Sequence, residues 1–168
     1  MSSSTLTMEG RALLSTLNTQ RDHVLGILDG LPEEALRRPV LPSGWTCLGL
    51  VQHLAIEVER FWFRAVVDGD HGVLEADGPG NAWQVSADTP VEAVLDRYRQ
   101  EIELANGIIV ATPTEAPPAW WPEELFGSWR LDNLREILLH VITETACHAG
   151  HLDAARELID GRTWMVLP

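Results

Sequence analysis

One long segment near the C-terminus, Leu131 to Asp160, restricts what this chain can fold into, because its residue pattern predicts a single helix. The segment carries four side chains that can bind metals or protons, namely His140, Glu144, His148 and His151. At about 100° per residue they fall within roughly 80° of one another on the helical wheel. Glu144 and His148 are one turn apart and can share one ion. The apolar residues around this group favour a functional site over a solvated surface.

Three other segments also have helical patterns. The first, from about Thr7 to Leu28, has an apolar stripe of leucines and valines at helical spacing. The second runs from an N-cap at Thr46 to about Val67. The third runs from an N-cap at Thr89 to about Val110, with Pro90 at the first helical position and Glu92 completing a capping box. Together with the C-terminal segment, these patterns predict four helices.

Two loops of about 20 residues separate the later helices, which is longer than most connections in compact domains. One spans Asp68 to Asp88 and includes Gly78, Pro79 and Gly80; the other contains the pair Trp120 and Trp121, which could roof a pocket. Gly161 is a good C-terminal stop for the last helix. No segment alternates as a strand does. We therefore expect residues 1–168 to form one all-α domain, a four-helix bundle.

Charge and composition exclude several classes of protein. A net charge of −13 argues against binding to nucleic acid or to an anionic membrane surface. The sequence shows no secretory signal and no apolar run long enough to span a bilayer. Cys47 and Cys147 have no disulfide-framework or zinc-ribbon spacing, so we expect reduced thiols in a cytoplasmic protein. All 12 basic residues are arginine, which we interpret as the composition bias of a GC-rich genome of the actinobacterial type.

A catalytic zinc site has three protein ligands and one open position. Glu144 and His148 can supply two of them, and His53, between Leu50 and Leu54 of the second helix, is the natural third. Two simpler interpretations stay open. A histidine beside apolar residues is more often a hydrogen-bonded core residue than a ligand. The carboxylate and imidazoles of the last helix can also form ordinary pairs worth about 0.5 kcal/mol.

Other catalytic patterns are missing from the sequence. There is no His-Glu-x-x-His, no Gly-x-Ser-x-Gly, no P-loop and no dinucleotide-binding glycine pattern. Cys147 and His148 are neighbours but point about 100° apart on a helix, so they do not face one target. A zincin-type protease and a cysteine–histidine nucleophile are therefore not supported.

Two stretches resemble the DinB superfamily, and in particular its DUF664 branch. One is Ser43-Gly44-Trp45-Thr46 with Gly49-Leu50-Val51-Gln52-His53-Leu54; the other is His140-Val141-Ile142, Glu144-Thr145-Ala146 and His148-Ala149-Gly150-His151-Leu152-Asp153. The resemblance implies a four-helix bundle of the DinB/YfiT type and a divalent metal held by His53, Glu144 and His148. With Glu at position 144 the motif is similar to the metal-binding domain of mycothiol-dependent maleylpyruvate isomerase. Shorter relatives include S-transferases that use mycothiol or bacillithiol.

The resemblance leads to the hypothesis of a metal-dependent transferase that activates a small thiol for attack on an electrophilic small molecule. Zinc suits two imidazoles and one carboxylate best, although nickel, iron and manganese also bind such sets. The inferred actinobacterial source favours mycothiol as the thiol. His140, His151 and Asp153 are candidates for orienting a ligand or moving a proton. Alternatives are a metal-dependent hydrolase on the same site, and a bundle that only binds a metal or small molecule. An apolar bundle face would also suit a homodimer.

Overall fold

Every regular element of the computed structural model is a helix over the residues it describes, 6–75 and 81–165, which confirms the predicted all-α class. Gly78, Pro79 and Gly80 of the first long loop lie outside the described residues. In chain order the elements are α1 (Met8–Leu28), α2 (Glu33–Arg37), α3 (Cys47–His53), a π-helical segment (Leu54–Val67), a 3-10 helix (His71–Glu75), α4 (Val91–Ala111), α5 (Glu123–Phe126) and α6 (Leu134–Asp160).

Side-chain caps fix the starts of three helices. The side chains of Thr7, Thr46 and Asn133 each accept a hydrogen bond from the backbone amide three residues later, at 3.0, 3.0 and 3.1 Å. Gly161 ends α6 with a φ of +78°, the left-handed conformation that glycine adopts without strain. The predicted cap at Thr46 and stop at Gly161 are therefore confirmed.

Two predicted helix starts were wrong by one to three residues. α4 begins at Val91 with Pro90 as its N-cap residue, and no side-chain capping bond forms there. The carbonyl of Thr89 instead accepts a hydrogen bond of 2.6 Å from Arg37, which holds this residue in the loop. α6 begins at Leu134 rather than Leu131, because the Asn133 cap comes three residues later.

The predicted second helix changes its winding in the middle. It is α-helical only from Cys47 to His53 and continues as a π-helix from Leu54 to Val67. The buried residues of this segment recur at every fourth position, as Leu54, Val58, Trp62 and Val66 do. This spacing suits both the α winding and the wider π winding, so the sequence pattern does not separate them. His53 stands at the junction of the two windings.

The four long helical elements pack in two pairs around the core. α1 lies mainly along α6, and the π-helical segment lies mainly along α4, while α3 also contacts α6. Fully buried side chains from all of them form the core, among them Leu17, Leu50, Phe63, Ile109 and Leu138. None of the described helices is long and apolar enough to cross a membrane. The packing of α3 and its π continuation against α6 brings His53 opposite the histidine-bearing face of α6.

Candidate metal centre

The three predicted ligands come together between α3 and α6. One ligand atom from each of His53, Glu144 and His148 lies within 4.8 Å of the other two. The Nε2 atoms of His53 and His148 are 3.7 and 3.9 Å from Oε1 of Glu144. The two imidazole rings meet edge to face, with centroids 5.0 Å apart. His53 is buried and the other two are half-buried, so the group has the geometry and the shielding that a metal site needs.

Glu57 fixes the orientation of the His53 ring. Its Oε2 lies 2.6 Å from Nδ1 of His53, so a proton on Nδ1 is donated to the carboxylate and Nε2 faces Glu144. A carboxylate on the far side of a ligating imidazole is the usual partner in metal sites. Glu57 follows His53 at four residues, a spacing from which the sequence could have suggested this pair.

Two ring nitrogens of the cluster are buried without a hydrogen-bond partner among the described residues: Nε2 of His53 and Nδ1 of His148. The 3.7 Å from His53 to Glu144 is too long for a hydrogen bond. A buried polar atom without a partner costs roughly 1–3 kcal/mol. A cation between the imidazoles and the carboxylate would satisfy Nε2 of His53, so the residues fit a bound metal.

The electrostatics of the cluster favour a positive ion. The neighbouring imidazoles of His140, which contacts the carboxylate, and then of His53 hold the pKa of Glu144 at about 2, so this carboxyl is ionised at neutral pH. Burial, aided by the charge of His53, lowers the pKa of His148 to about 4 and leaves its imidazole neutral. Burial alone would lower the pKa of His53, but Glu144 and Glu57 together raise it. A charged carboxylate and a neutral imidazole are the forms that bind metals.

The three residues predicted to support the ligands have different surroundings. Nε2 of His140 lies 3.2 Å from Oε2 of Glu144, so this residue does contact the carboxylate. His151 is exposed, and its ring centroid is 5.7 Å from that of His148. Asp153 is turned towards the C-terminal segment, where it accepts backbone hydrogen bonds from Trp164 and Met165 at 2.6 and 3.0 Å. We therefore assign Asp153 to anchoring that segment.

Trp83 was missed by the sequence analysis. Its ring stacks on His53 at a centroid distance of 4.2 Å and an interplanar angle of 21°, and it contacts His148 edge to face at 5.7 Å. The loop that carries it is held by Gln52, which donates to the carbonyls of Ala82 and Gln84 at 2.8 and 3.2 Å. A Cβ atom at Gly49 would lie 2.2 Å from the Trp83 carbonyl oxygen, so only glycine permits this approach. No spacing in the sequence indicates this contact.

Neither cysteine takes part in the cluster. Both are free thiols, as expected. Cys47 is buried, and this burial raises the pKa of its thiol to about 11, so it is protonated and poorly nucleophilic at neutral pH. Cys147 is exposed on α6. The nucleophile of any thiol chemistry at this site therefore has to come from a substrate.

A cavity of about 740 Å³ borders the cluster, with Glu144, His140 and Glu57 in its lining. Trp120 and Trp121, for which the sequence left a pocket roof and simple packing both open, are not part of this lining. Trp120 stacks on His71 at 5.2 Å, and Trp121 packs among other aromatic rings. The loop contributes Leu125 and Phe126 of α5 instead. The volume is in the range of small-molecule sites.

Comparison with known proteins identifies the family. No curated protein sequence matches the chain. A family model described as mycothiol-S-transferase matches residues 12–161, a range that includes all three residues of the cluster. This match confirms the predicted resemblance to DinB-like proteins. Because it covers most of the 168 residues, the chain belongs to the mycothiol-S-transferase family.

Proposed function

We propose that this protein is a metal-dependent mycothiol S-transferase in which His53, Glu144 and His148 hold one divalent metal ion. The observation that carries the proposal is their convergence within 4.8 Å, with a buried ring nitrogen of His53 that finds no partner within residues 6–75 and 81–165. The family's description indicates mycothiol as the thiol, and the adjoining cavity of about 740 Å³ has room for a second substrate.

Two imidazoles and one carboxylate match the ligand set of catalytic zinc sites, so zinc is the proposed metal. A zinc ion bound there supplies a positive charge that lowers the pKa of a neighbouring thiol and so provides a thiolate nucleophile at neutral pH. The residues around the cluster prepare it for this task. Glu57 orients His53, and His140 holds the carboxylate of Glu144. Trp83 covers one face of His53 and limits the access of water.

The reaction we propose is the attack of the mycothiol sulfur on an electrophilic carbon of a small molecule held in the cavity, so that the whole mycothiol moiety is joined to that carbon through its sulfur. The sulfur–carbon bond forms while the bond to the leaving group breaks, and the thiol proton is released. Holding both substrates side by side supplies proximity, which is a large part of the rate gain in reactions between two molecules.

Mass spectrometry of the products tests the proposal, using protein purified without a metal-affinity tag and loaded with zinc. With mycothiol and a generic electrophile, we expect the thioether conjugate from the wild type and none above background from His148→Ala. His71→Ala is the control, because His71 is exposed on the 3-10 helix and contacts Trp120 rather than the cluster. Full activity of His148→Ala would contradict the proposal. So would turnover that needs no thiol, because that result would indicate a hydrolase.

A further inference from the structure

We propose that the cavity beside the metal centre selects flat aromatic electrophiles, which bind against one apolar wall. This inference rests on the proposed transferase function and specifies its second substrate. We use the name aromatic wall for four side chains that line the cavity together, Phe61, Trp62, Leu125 and Phe126. They come from two elements, the π-helical segment and α5.

The rings of the wall are held in a fixed arrangement. Trp62 is only 3% exposed, and its ring lies parallel to that of Phe126, with an interplanar angle of 10° and centroids 5.6 Å apart. Phe61 meets both rings edge to face, at 5.1 Å from Trp62 and 6.0 Å from Phe126. Offset and edge-to-face contacts are the geometries that aromatic rings prefer. Another flat ring can extend this packing without rearranging it.

Two leucines of the same cavity are left exposed to water. Leu125 of α5 is 65% exposed and Leu74 of the 3-10 helix is 39% exposed. They belong to the two long loops, so the exposed apolar surface at the cavity comes from two segments that are far apart in the chain. An apolar group bound there would cover them, and each covered Å² of apolar surface contributes about 25 cal/mol.

Other residues of the lining are polar, so the cavity offers polar as well as apolar contacts. The loop before α4 contributes Asn81, Gln84, Ser86 and Thr89, and Arg97 of α4 also lines the cavity. The phenyl and indole rings of the cavity lining all belong to the aromatic wall, so an apolar ring finds its aromatic contacts there, and the polar side chains are left for a polar co-substrate. The cavity therefore orients its two substrates differently.

His140 connects the aromatic wall with the metal centre. Its ring contacts Trp62 edge to face at 4.7 Å, and its Nε2 lies 3.2 Å from Oε2 of Glu144. The wall and the cluster are thus separated by a single side chain. A small aromatic molecule on the wall lies next to the place where the proposed function puts the thiol sulfur.

A suitable probe is 1-chloro-2,4-dinitrobenzene. The sulfur of mycothiol attacks the ring carbon that carries chlorine, forming a sulfur–carbon bond. The carbon–chlorine bond breaks, chloride leaves with the bonding electrons, and the thiol proton passes to the buffer. No oxidant or reductant is needed. Iodoacetamide, which loses iodide in the analogous displacement, serves as an electrophile without a ring.

The test compares Leu125→Ser with Leu158→Ser, because both leucines are mostly exposed, at 65% and 61%, and Leu158 lies on α6 outside the cavity lining. We expect Leu125→Ser to raise KM for the chlorodinitrobenzene about fivefold through lost apolar contact, and to leave KM for iodoacetamide unchanged. Leu158→Ser should change neither value. Phe126→Ala should have a larger effect of the same kind.

A binding measurement separates this inference from the proposed function. 1,3-Dinitrobenzene has the ring but no leaving group, and its binding to metal-free protein can be followed by calorimetry. Weaker binding of the probe to Leu125→Ser than to Leu158→Ser supports the aromatic wall, whether or not the protein transfers a thiol. If the protein transfers no thiol, only the proposed function is refuted. If Leu125→Ser and Phe126→Ala bind the probe like the wild type and keep the wild-type KM, the wall is refuted even while the enzyme transfers thiols.

Discussion

Two of the polar groups that this bundle buries are completed in different ways. One is the ion pair of Arg21 and Glu59, between α1 and the π-helical segment. Both side chains are almost fully buried. The other is the cluster of His53, Glu144 and His148. The first group is saturated with hydrogen bonds from the protein, whereas the second keeps buried nitrogens that have no partner in the described part of the chain.

The guanidinium of Arg21 has a dense set of partners. Its Nε and Nη2 donate to the two carboxylate oxygens of Glu59 at 2.7 and 2.5 Å. Its Nη1 donates to the side-chain oxygens of Asn18 and Asn106 at 2.8 and 2.7 Å. Such two-pronged, charge-assisted contacts are among the strongest in proteins. The protein itself neutralises this charge, and no ligand is required.

The comparison contrasts a buried polar group that the protein itself completes with a cluster that, under the proposed function, is completed by a metal ion. A buried charge with a structural role is paired and hydrogen-bonded by other groups of the protein. Under the proposed function, the histidine cluster leaves ring nitrogens without protein partners so that they can bind a metal ion. These unpaired nitrogens lower the stability of the metal-free fold. Four sets of variants test these assignments.

The largest expected effect is on stability, from Arg21→Ala. Removing one partner of a buried ion pair leaves Glu59 charged and desolvated, which costs roughly 3–5 kcal/mol of unfolding free energy. Urea denaturation measures this loss. Arg99→Ala is the control, because Arg99 is 46% exposed in its side chain and pairs with an exposed Asp96, so we expect less than about 1 kcal/mol. Equal effects of the two variants would contradict the conclusion that the buried Arg21–Glu59 pair stabilises the fold.

The second-largest effect is the gain in unfolding free energy when zinc binds to the cluster of His53, Glu144 and His148. At zinc concentrations about 100-fold above Kd, binding should add about 2.7 kcal/mol to the unfolding free energy of the wild type. His148→Ala should gain nothing from zinc, and without metal its stability should stay within about 1 kcal/mol of the wild type, since His148 is half-buried and its Nδ1 has no described partner to lose. Thermal unfolding with and without a chelator provides both values. Strong destabilisation of the metal-free variant would mean that the cluster serves the fold.

A third pair of variants tests the contact between the Trp83 loop and α3. Gly49→Ala would place a Cβ atom 2.2 Å from the carbonyl oxygen of Trp83, so the loop has to shift; we expect a loss of about 2 kcal/mol. Gly107→Ala in α4 meets nothing within 4 Å and should instead stabilise the protein by up to about 1 kcal/mol. Chemical denaturation measures both changes. If Gly49→Ala also stabilises the protein, the close packing of this loop is wrong.

The smallest effect should come from Glu57→Gln. The amide keeps the size of the side chain but removes the charge that polarises His53, so we expect zinc affinity to fall about tenfold while the stability of the metal-free protein hardly changes. A competition titration with a chromogenic chelator measures the affinity. Glu33→Gln is the matched control, because Glu33 pairs with Arg37 at the surface, four residues away as Glu57 is from His53. Unchanged affinity in Glu57→Gln would remove Glu57 from the site.

The sequence predicts the features that depend on regular spacing. The long helices, the cap at Thr46 and the stop at Gly161 follow from apolar periodicity and from side chains that bind nearby backbone groups. Glu144 and His148 face the same side because they are one helical turn apart. His53 was chosen as the natural third ligand from its place between Leu50 and Leu54, and the family resemblance supported this choice; its distance along the chain says nothing about proximity in space.

Other features depend on contacts that no local pattern encodes. The stacking of Trp83 on His53 requires the backbone of a distant loop to approach Gly49, and the sequence contains no sign of that approach. The π winding after His53 shares its four-residue spacing of buried side chains with an α-helix. Asp153 occurs in the same motif as the ligands, yet it binds the backbone of the C-terminal segment. A residue of the same sequence motif therefore need not contact the cluster of His53, Glu144 and His148.

The metal content of purified protein tests the central claim most directly. Protein made without an affinity tag, loaded with zinc and dialysed, is analysed by elemental mass spectrometry. We predict one zinc per chain in the wild type and in His71→Ala, and almost none in His53→Ala, Glu144→Ala or His148→Ala, with all variants folded by circular dichroism. Zinc retained by the three cluster variants, or absent from the wild type, would contradict a metal centre formed by these residues.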